Sequence, residues 1–491
     1  MILVLWSVPA LVVLVAIASG RASTTTAALL SLLLAIPIGI FTGPASLDFG
    51  GVALALSRGL WIGSTMAPYI LGGLLFWQVA ARRPPSRAGL TEADQPSCPP
   101  NDINGRRLLF FACFLVGPFA EAATGFGVGM LGTVALIRKL NIPPRYLMIF
   151  ALLSQCMIPW GAMGSGTLLA AAYARIPAEQ LGLYCLVPVS LLMGVWLSMF
   201  WRIVRLAGFG ATKFEQLREI AWIAAGLLLV GLATAFLGPE TALLSAYGPL
   251  IVLRYLVDVR PTWAQARATA SQTLPYFVLI GWLVLSRLQP LIRNVLGNLL
   301  AVAPFADLPT WSPFLHAGSW LLIGAALTAL VRKDSLRTLV QEVTLAWSTG
   351  KQAVAGVLLF AMLAETLATA GISRAVADTM FTSLGEGAVL ATPMLSAAFG
   401  LLTNSGNAPN SLFMPSQVAL AAQAGLIVPA VAALQHVSAT SFGLFSPVRM
   451  SIAAGVAGGA GQERHVYTLL LPYAAISIAL LLASAAFVIF I

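Results

Sequence analysis

Four short segments rich in glycine and small polar residues interrupt otherwise apolar sequence. Glu121–Gly127 and Pro159–Gly166 lie in the first half of the chain, and Thr403–Asn410 and Ser441–Pro447 lie in the second half. Backbone that leaves a helix inside a bilayer exposes N–H and C=O groups, which is tolerated only in a polar cavity or inside protein. Two matched pairs of interruptions therefore predict the binding site of a secondary transporter built from two repeats.

Helices that restart at these interruptions would bind an anion. A helix restarting at membrane depth directs free N–H groups and its positive dipole end toward the gap. Pro409 after Asn407, and Pro447 after Ser446, have the sequence of such restarts. Hydroxyl and amide groups would bind the polar groups of a small organic anion, and glycines permit close backbone approach. The predicted substrate-binding residues are Thr124, Gly125, Phe126, Gly127, Gly161, Ala162, Ser165, Asn404, Ser405, Gly406, Asn407, Asn410, Ser441, Ser446 and Arg449.

Four ionisable residues lie in or near these segments or deep in a predicted span. Arg449 would bind a carboxylate with its guanidinium fork; the alternative is snorkelling to the membrane surface. Glu121, Glu365 and His436 are candidate proton carriers, because intramembrane ionisable groups are commonly functional. The alternative for each of these three is a buried hydrogen bond or ion pair. The small polar residues have a packing alternative too, since such residues are common at transmembrane helix interfaces.

Composition identifies the class of protein. Of the 491 residues, 59% are hydrophobic and only 9% are charged, which indicates a polytopic membrane protein. The net charge of +10 comes from basic residues in short loops between apolar spans, so no nucleic-acid partner is predicted. The four cysteines lack the spacing of a metal site, and no cofactor or metal is expected.

The apolar runs predict an all-α protein of about 12 crossing helices and two re-entrant hairpins in two inverted repeats. Each hairpin arm has about 12 residues, roughly 18 Å, too short for a bilayer core of about 30 Å. Five crossings and two connecting helices precede the second repeat, and this odd number inverts it. The predicted units are a repeat at 1–218 with a hairpin near 108–137 and a broken helix near 146–174, a connecting pair at 219–264, and a repeat at 265–491 with a hairpin near 388–424 and a broken helix near 426–458.

Basic residues set the expected orientation. Arg21 follows the first apolar segment, and no basic region precedes that segment, which favours a retained helix with its N-terminus outside. Arg82, Arg83 and Arg87 mark a cytoplasmic loop, whereas no such cluster flanks the second hairpin. The sequence therefore predicts a multi-pass protein whose second hairpin enters from outside.

All four interruptions resemble stretches of the lactate permease family of bacterial inner-membrane carriers. Glu121-Ala-Ala-Thr-Gly-Phe-Gly127 is similar to that family's Glu-Gly-Ala-Ala-Gly-Phe-Gly, and Pro159-Trp-Gly-Ala-Met-Gly164 to its Pro-Val-Ala-Phe-Gly-Ala. Asn404–Gln417 and Phe442–Met450 resemble its second-half segments. Ala122 stands where the family has glycine, Gly129 lies near a family proline, and Val448-Arg449 interrupts a Ser-Pro-Gln pattern.

The resemblance implies proton-coupled import of lactate, glycolate or a related 2-hydroxy monocarboxylate across the bacterial inner membrane. The departures leave open a sodium-coupled or uncoupled carrier of a different small organic anion. The expected partners are thus the anion, H⁺ or Na⁺, the lipid bilayer and possible further copies of the chain. An enzyme is not expected, because the spans lack a Ser/His pair, metal cluster or aspartate dyad at usable spacing.

Overall fold

The computed structural model describes residues 2–82, 103–125 and 127–490, and regular structure in these ranges is helical apart from one isolated bridge between Val302 and Trp311. The helices of the first half are α1 (Ile2–Ala18), α2 (Thr24–Thr42), α3 (Phe49–Ala81), α4 (Ile103–Phe111), α5 (Gly117–Thr124), α6 (Val128–Ile137), α7 (Pro144–Leu153), α8 (Gly161–Ala174), α9 (Ala178–Leu206), α10 (Lys213–Leu237) and α11 (Pro239–Val259). The helices of the second half are α12 (Trp263–Leu288), α13 (Pro290–Asn298), α14 (Ala317–Val331), α15 (Leu336–Thr369), α16 (Ile372–Leu384), α17 (Ala391–Thr403), α18 (Asn407–Gln423), α19 (Val428–Phe442), α20 (Pro447–Ala457) and α21 (Glu463–Ile489).

The prediction of an all-α multi-pass membrane protein is confirmed. Within the described ranges, 11 helical segments are long and apolar enough to cross a membrane, or 12 if the bent pair α7 and α8 is one span. The central helices α3 and α15, of 33 and 34 residues, are longer than the sequence suggested. The side chains of Asp48 and Ser335 cap these helices by accepting hydrogen bonds from the backbone N–H groups of Gly51 and Thr338. Both helices therefore begin before their most apolar stretch.

Helices α3 and α15 pack closely in antiparallel orientation. A Cβ atom at Gly59 would lie 2.3 Å from Met362 Cα, and one at Gly63 would lie 2.8 Å from Leu358 Cα. Rising numbers on α3 therefore meet falling numbers on α15. At the far end of α3, Arg82 forms a salt bridge with Asp334 at 3.4 Å, just before α15 begins. Helix α3 is the third helix of the first half, and α15 is the fourth helix of the second half. These two long helices therefore run in opposite directions.

Helices α5 and α6, which flank residues 125–127 in the sequence, pack against each other, and Thr133 Oγ1 of α6 donates to Ala112 O at 3.1 Å. Helices α17 and α18, which flank residues 404–406, also pack against each other. We call these two pairs, with the segments that lead into them, the first and the second hairpin. The predicted arm lengths are wrong for the first arms, because Ile103–Thr124 is one helical segment of 22 residues. A π-helical turn at Ala112–Val116 carries the helix through Gly117-Pro118 without ending it.

The start of α4 and the end of α15 lie at opposite ends of α9. Near the start of α4, Arg106 Nη1 donates to Phe209 O at 3.0 Å, just beyond the C-terminal end of α9. Near the end of α15, Glu365 binds Arg175 at 2.6 Å. Arg175 lies three residues before α9 begins. Since α9 has 29 residues and is therefore roughly 43 Å long, the start of α4 and the end of α15 are far apart.

Candidate functional site

In each half, the tip of the hairpin contacts the neighbouring broken helix. A Cβ atom at Gly125, in the first tip, would lie 3.0 Å from Ala162 Cβ. In the second half, a Cβ atom at Gly406 would lie 2.5 Å from Thr440 Cγ2. Gly125 has a φ of 71°, a left-handed conformation that a side chain would strain. Glycine at both tips therefore permits the contacts.

The first broken helix is a sharply bent pair. The axes of α7 and α8 differ by 60° across the break. Ala162 and Met163 have φ values of 46° and 52°, which are uncommon for residues with a side chain. In the second half, α19 and α20 are separated by a 3₁₀ turn at Gly443–Phe445. Backbone that departs from regular α-helix thus occurs at each of the four predicted interruptions.

His436 joins the two halves of the molecule. Its Nδ1 accepts from Asn410 Nδ2 at 2.8 Å, and its Nε2 lies 3.0 Å from Thr167 Oγ1. Thr167 donates its own hydroxyl proton to Pro159 O, so His436 Nε2 carries the proton in the bond to Thr167. Both ring nitrogens of this fully buried residue are engaged. This geometry favours the structural alternative for His436 over proton transfer.

One face of α19 gathers the second-half residues. His436 and Thr440 of α19, and Gly443 directly after α19, recur at helical spacing and lie on the same side of this segment. They contact Asn410 and Gly406 of the second hairpin and the guanidinium group of Arg449, respectively. The same region reaches the first half, because a Cβ atom at Gly166 would lie 3.8 Å from Asn407 Oδ1. The four interruptions therefore form one connected junction.

Arg449 folds back into this junction. Its Cζ and both terminal nitrogens would lie 3.3–3.4 Å from a Cβ atom at Gly443. The guanidinium interacts electrostatically with Glu121 of the first hairpin. Its Nη1 is buried and has no hydrogen-bond partner within the described ranges. A side chain turned inward with a buried donor does not have the geometry of a snorkelling arginine.

The side-chain carboxylate of Glu121, a residue of α5, lies at the N-terminal end of α6. Its carboxylate oxygens accept the backbone N–H groups of Gly127 at 3.2 Å and Gly129 at 3.1 Å. The side chain is buried, and Gly129 packs so closely on the first arm that a Cβ atom there would lie 2.5 Å from Gly117 O. The sequence suggested free N–H groups at this restart. In the structure, the N–H groups of Gly127 and Gly129 donate to the Glu121 carboxylate, which takes the place of an external anion.

Several predicted site hydroxyls bind the local backbone. Thr124 Oγ1 donates to Ala120 O at 2.9 Å, and Ser405 Oγ accepts from Asn407 N at 3.2 Å. Ser446 caps α20, as predicted, by accepting from Val448 N at 3.3 Å. These hydroxyls shape the ends of the helices and leave the side-chain amides as the more available polar groups.

Two amide oxygens at the junction remain without partners. Asn404 Oδ1 and Asn410 Oδ1 are buried, and neither has a hydrogen-bond partner in the described part of the chain. Gly161 and Ser165 are partly exposed near the bend of the first broken helix, and Ser441 is buried near the end of α19. Phe126 lies outside the described residues.

Glu365 does not join the junction. Its buried carboxylate binds Arg58 Nε at 2.8 Å and Arg175 Nη2 at 2.6 Å, beyond the C-terminal end of α8. Neither of these arginines nor Thr167 is among the site residues predicted from the sequence. Arg58 and Arg175 stand out as lone cations near the ends of apolar runs, which was the available signal.

The chain is similar to known permeases. It is 23% identical to the L-lactate permeases of Salmonella typhi and Salmonella typhimurium in an alignment of 410 positions that covers 72% of this chain and 72% of each relative. It is 22% identical to the L-lactate permease of Escherichia coli K12 in an alignment of 492 positions that covers 88% of this chain and 86% of the relative. No family model matches the chain.

Solved transporter structures are more distant. The Alcanivorax borkumensis YdaH transporter has a TM-score of 0.41 and 15% identity, covering 96% of this chain and 98% of that one. MtrF of Neisseria gonorrhoeae has a TM-score of 0.37 and 13% identity, with 94% of each chain covered. TM-scores and identities this low do not support an inference about function. The apolar helices and the permease relatives identify a multi-pass membrane transporter, distantly related to lactate permeases, and not an enzyme.

Proposed function

We propose that this protein is a secondary active transporter that imports a small organic monocarboxylate, such as lactate, glycolate or a related 2-hydroxy acid, together with a proton. The observation that carries the proposal is the buried, unpartnered Nη1 of Arg449 at the junction of the four interruptions. A buried guanidinium donor is a strong binding partner for a carboxylate. The permease relatives support the same substrate class.

The substrate's two polar groups have separate partners in this proposal. Arg449 binds the carboxylate, and the glycines around it permit close approach of the backbone. The unpartnered oxygens of Asn404 and Asn410 accept a hydrogen bond from the 2-hydroxyl group. A monocarboxylate without that hydroxyl would leave a buried acceptor unpaired, which weakens binding.

Glu121 couples the proton to the anion. While ionised, its carboxylate holds the N–H groups of Gly127 and Gly129 and interacts with Arg449. Protonation removes the negative charge and converts one acceptor oxygen into a donor. The helix N-terminus and Arg449 then become available to the substrate's carboxylate. Proton and anion thus bind together, which is the requirement for symport.

Alternating access follows from the proposed pair of inverted repeats, 1–218 and 265–491, joined by the helices of 219–264. The antiparallel packing of α3 against α15 supports the inversion. Each hairpin would enter the membrane from its own side, in the bacterial inner membrane with the N-terminus outside. Movement of the hairpin tips relative to the broken helices would expose the junction to one side at a time.

Transport in proteoliposomes tests the proposal. An inwardly directed proton gradient should drive accumulation of labelled L-lactate, and a proton ionophore should abolish it. Arg449→Gln should raise the KM by about 30-fold, since a lost charge-assisted bond is worth about 2 kcal/mol, while Arg449→Lys should retain part of the affinity. Accumulation driven by a sodium gradient alone would support a sodium-coupled carrier instead. Unchanged kinetics in Arg449→Gln would contradict the site.

A further inference from the structure

A cluster of four charged side chains lies beyond the C-terminal end of α8, away from the junction. Arg58 of α3 and Arg175 both bind Glu365 of α15. The same two arginines bind Asp307, which lies in the segment between α13 and α14. The cluster therefore pairs two guanidinium groups with two carboxylates and connects four separated parts of the chain.

The two carboxylates differ in burial. The Glu365 side chain is 4% exposed, whereas the Asp307 side chain is 53% exposed. Asp307 accepts from Arg58 Nη1 at 3.0 Å and Nη2 at 2.5 Å, which is the bidentate fork of a carboxylate complex. It lies 3.5 Å from Arg175 Nε. Glu365 thus fixes the arginines from inside, while Asp307 occupies their outward-facing donors.

A cavity of about 490 Å³ lies beside this cluster. Its lining includes Asp307 and Arg175 of the cluster, and Leu168, Ala171 and Ala172 on one face of α8. The cavity therefore extends beside the C-terminal half of α8, the helix that runs from the bent break toward Arg175.

We propose that Arg58 and Arg175 form a capture site for the carboxylate of the incoming anion, and that Asp307 is its built-in competitor. The monocarboxylate displaces Asp307 from the outward-facing donors and then passes along α8 through the cavity. The substrate class rests on the proposed function, whereas the capture site rests on the geometry of the cluster. The Asp307 side chain is 53% exposed, so an incoming carboxylate can reach the donors that Asp307 occupies.

A labelling experiment tests the capture site without transport. The variant Asp307→Cys is made in a Cys98→Ser background, in which Cys113, Cys156 and Cys185 are buried in the structure. A negatively charged methanethiosulfonate should react with Cys at this position faster than a positively charged one. Acetate and lactate should slow the reaction, and acetamide should not. Equal rates for both reagents, or no protection by the carboxylates, would overturn the proposal.

Kinetics give the second test. Removing the competitor with Asp307→Asn should lower the KM for L-lactate by about two- to fivefold, the range expected for an exposed ion pair. Asp334→Asn is the matched control, because Asp334 pairs with Arg82 at the other end of α3, and its KM should not change. A raised KM in Asp307→Asn would show that Asp307 only ties the segment down. Carboxylate protection without lactate accumulation would retain the capture site and refute the proposed function.

Discussion

Substitution of Glu121 by glutamine is the most direct test of the coupling mechanism. Glutamine has nearly the shape of the protonated acid but cannot lose a proton. Its amide oxygen accepts a hydrogen bond from only one of the two N–H groups, those of Gly127 and Gly129, and its NH₂ group faces the remaining N–H group. The variant should therefore behave as a carrier that is permanently in the protonated state.

The size of the effect follows from the two hydrogen bonds. Bonds to a charged acceptor contribute about 1.5–3 kcal/mol each and neutral ones about 0.5–1.5 kcal/mol. Losing one bond and the charge on the other weakens the interaction of Glu121 with α6 by about 3.5 kcal/mol, or about 300-fold. The substrate competes with that interaction in the wild-type protein. Its affinity at alkaline pH should rise by up to about 300-fold in Glu121→Gln.

Proteoliposomes measure the consequence. In wild-type protein the KM for L-lactate should rise with pH, because the ionised Glu121 then competes for the same donors. In Glu121→Gln the KM should be constant with pH, accumulation against a gradient should be lost, and exchange of internal for external lactate should continue. Thr133→Val is the matched control, since it removes the bond to Ala112 O in the same hairpin and should keep the pH dependence. Gradient-driven accumulation by Glu121→Gln would refute the reasoning.

The remaining predictions concern His436 and Asp307. His436→Phe should lower the thermal midpoint in detergent, because it leaves buried groups of Asn410 and Thr167 without their partner, yet the pH dependence of uptake should persist. A pH-independent KM in that variant would assign proton transfer to His436. The hydrogen bond from Arg58 holds the pKa of Asp307 below its usual value of 3.8. A lowered pKa keeps the ion pair intact above 3.8, so the KM ratio of wild type to Asp307→Asn should stay constant from about pH 5 to about pH 8. A ratio that changes in this range would contradict the assigned charge state.

The backbone features of the junction were predictable because they follow from composition. Glycine and proline inside apolar sequence mark where a membrane helix stops, so the interruptions and the proline at the start of α20 could be assigned directly. Gly117-Pro118 shows that the rule has exceptions, because a π-helical turn there accommodates the proline and the helix continues.

Side-chain pairing could not be predicted from a single sequence. Glu121 and the N–H groups it binds are close in the chain, yet a carboxylate before a glycine-rich turn has no unique partner. The partners of Glu365 come from α3 and the end of α8, far away in sequence. Hydropathy indicates how deep such a residue lies but does not distinguish a proton carrier from a member of an ion cluster.

The two proposed anion sites share a property that bears on how a symporter returns empty. Positive groups without a partner in a low-dielectric interior cost several kcal/mol, so an empty site lined by guanidinium and N–H groups resists moving. At the junction the ionised Glu121 supplies an internal anion, and at the capture site Asp307 does so. Only the junction has to change sides during transport. Loss of the internal anion in Glu121→Gln should therefore slow the return of the empty carrier, whereas loss of Asp307 should not.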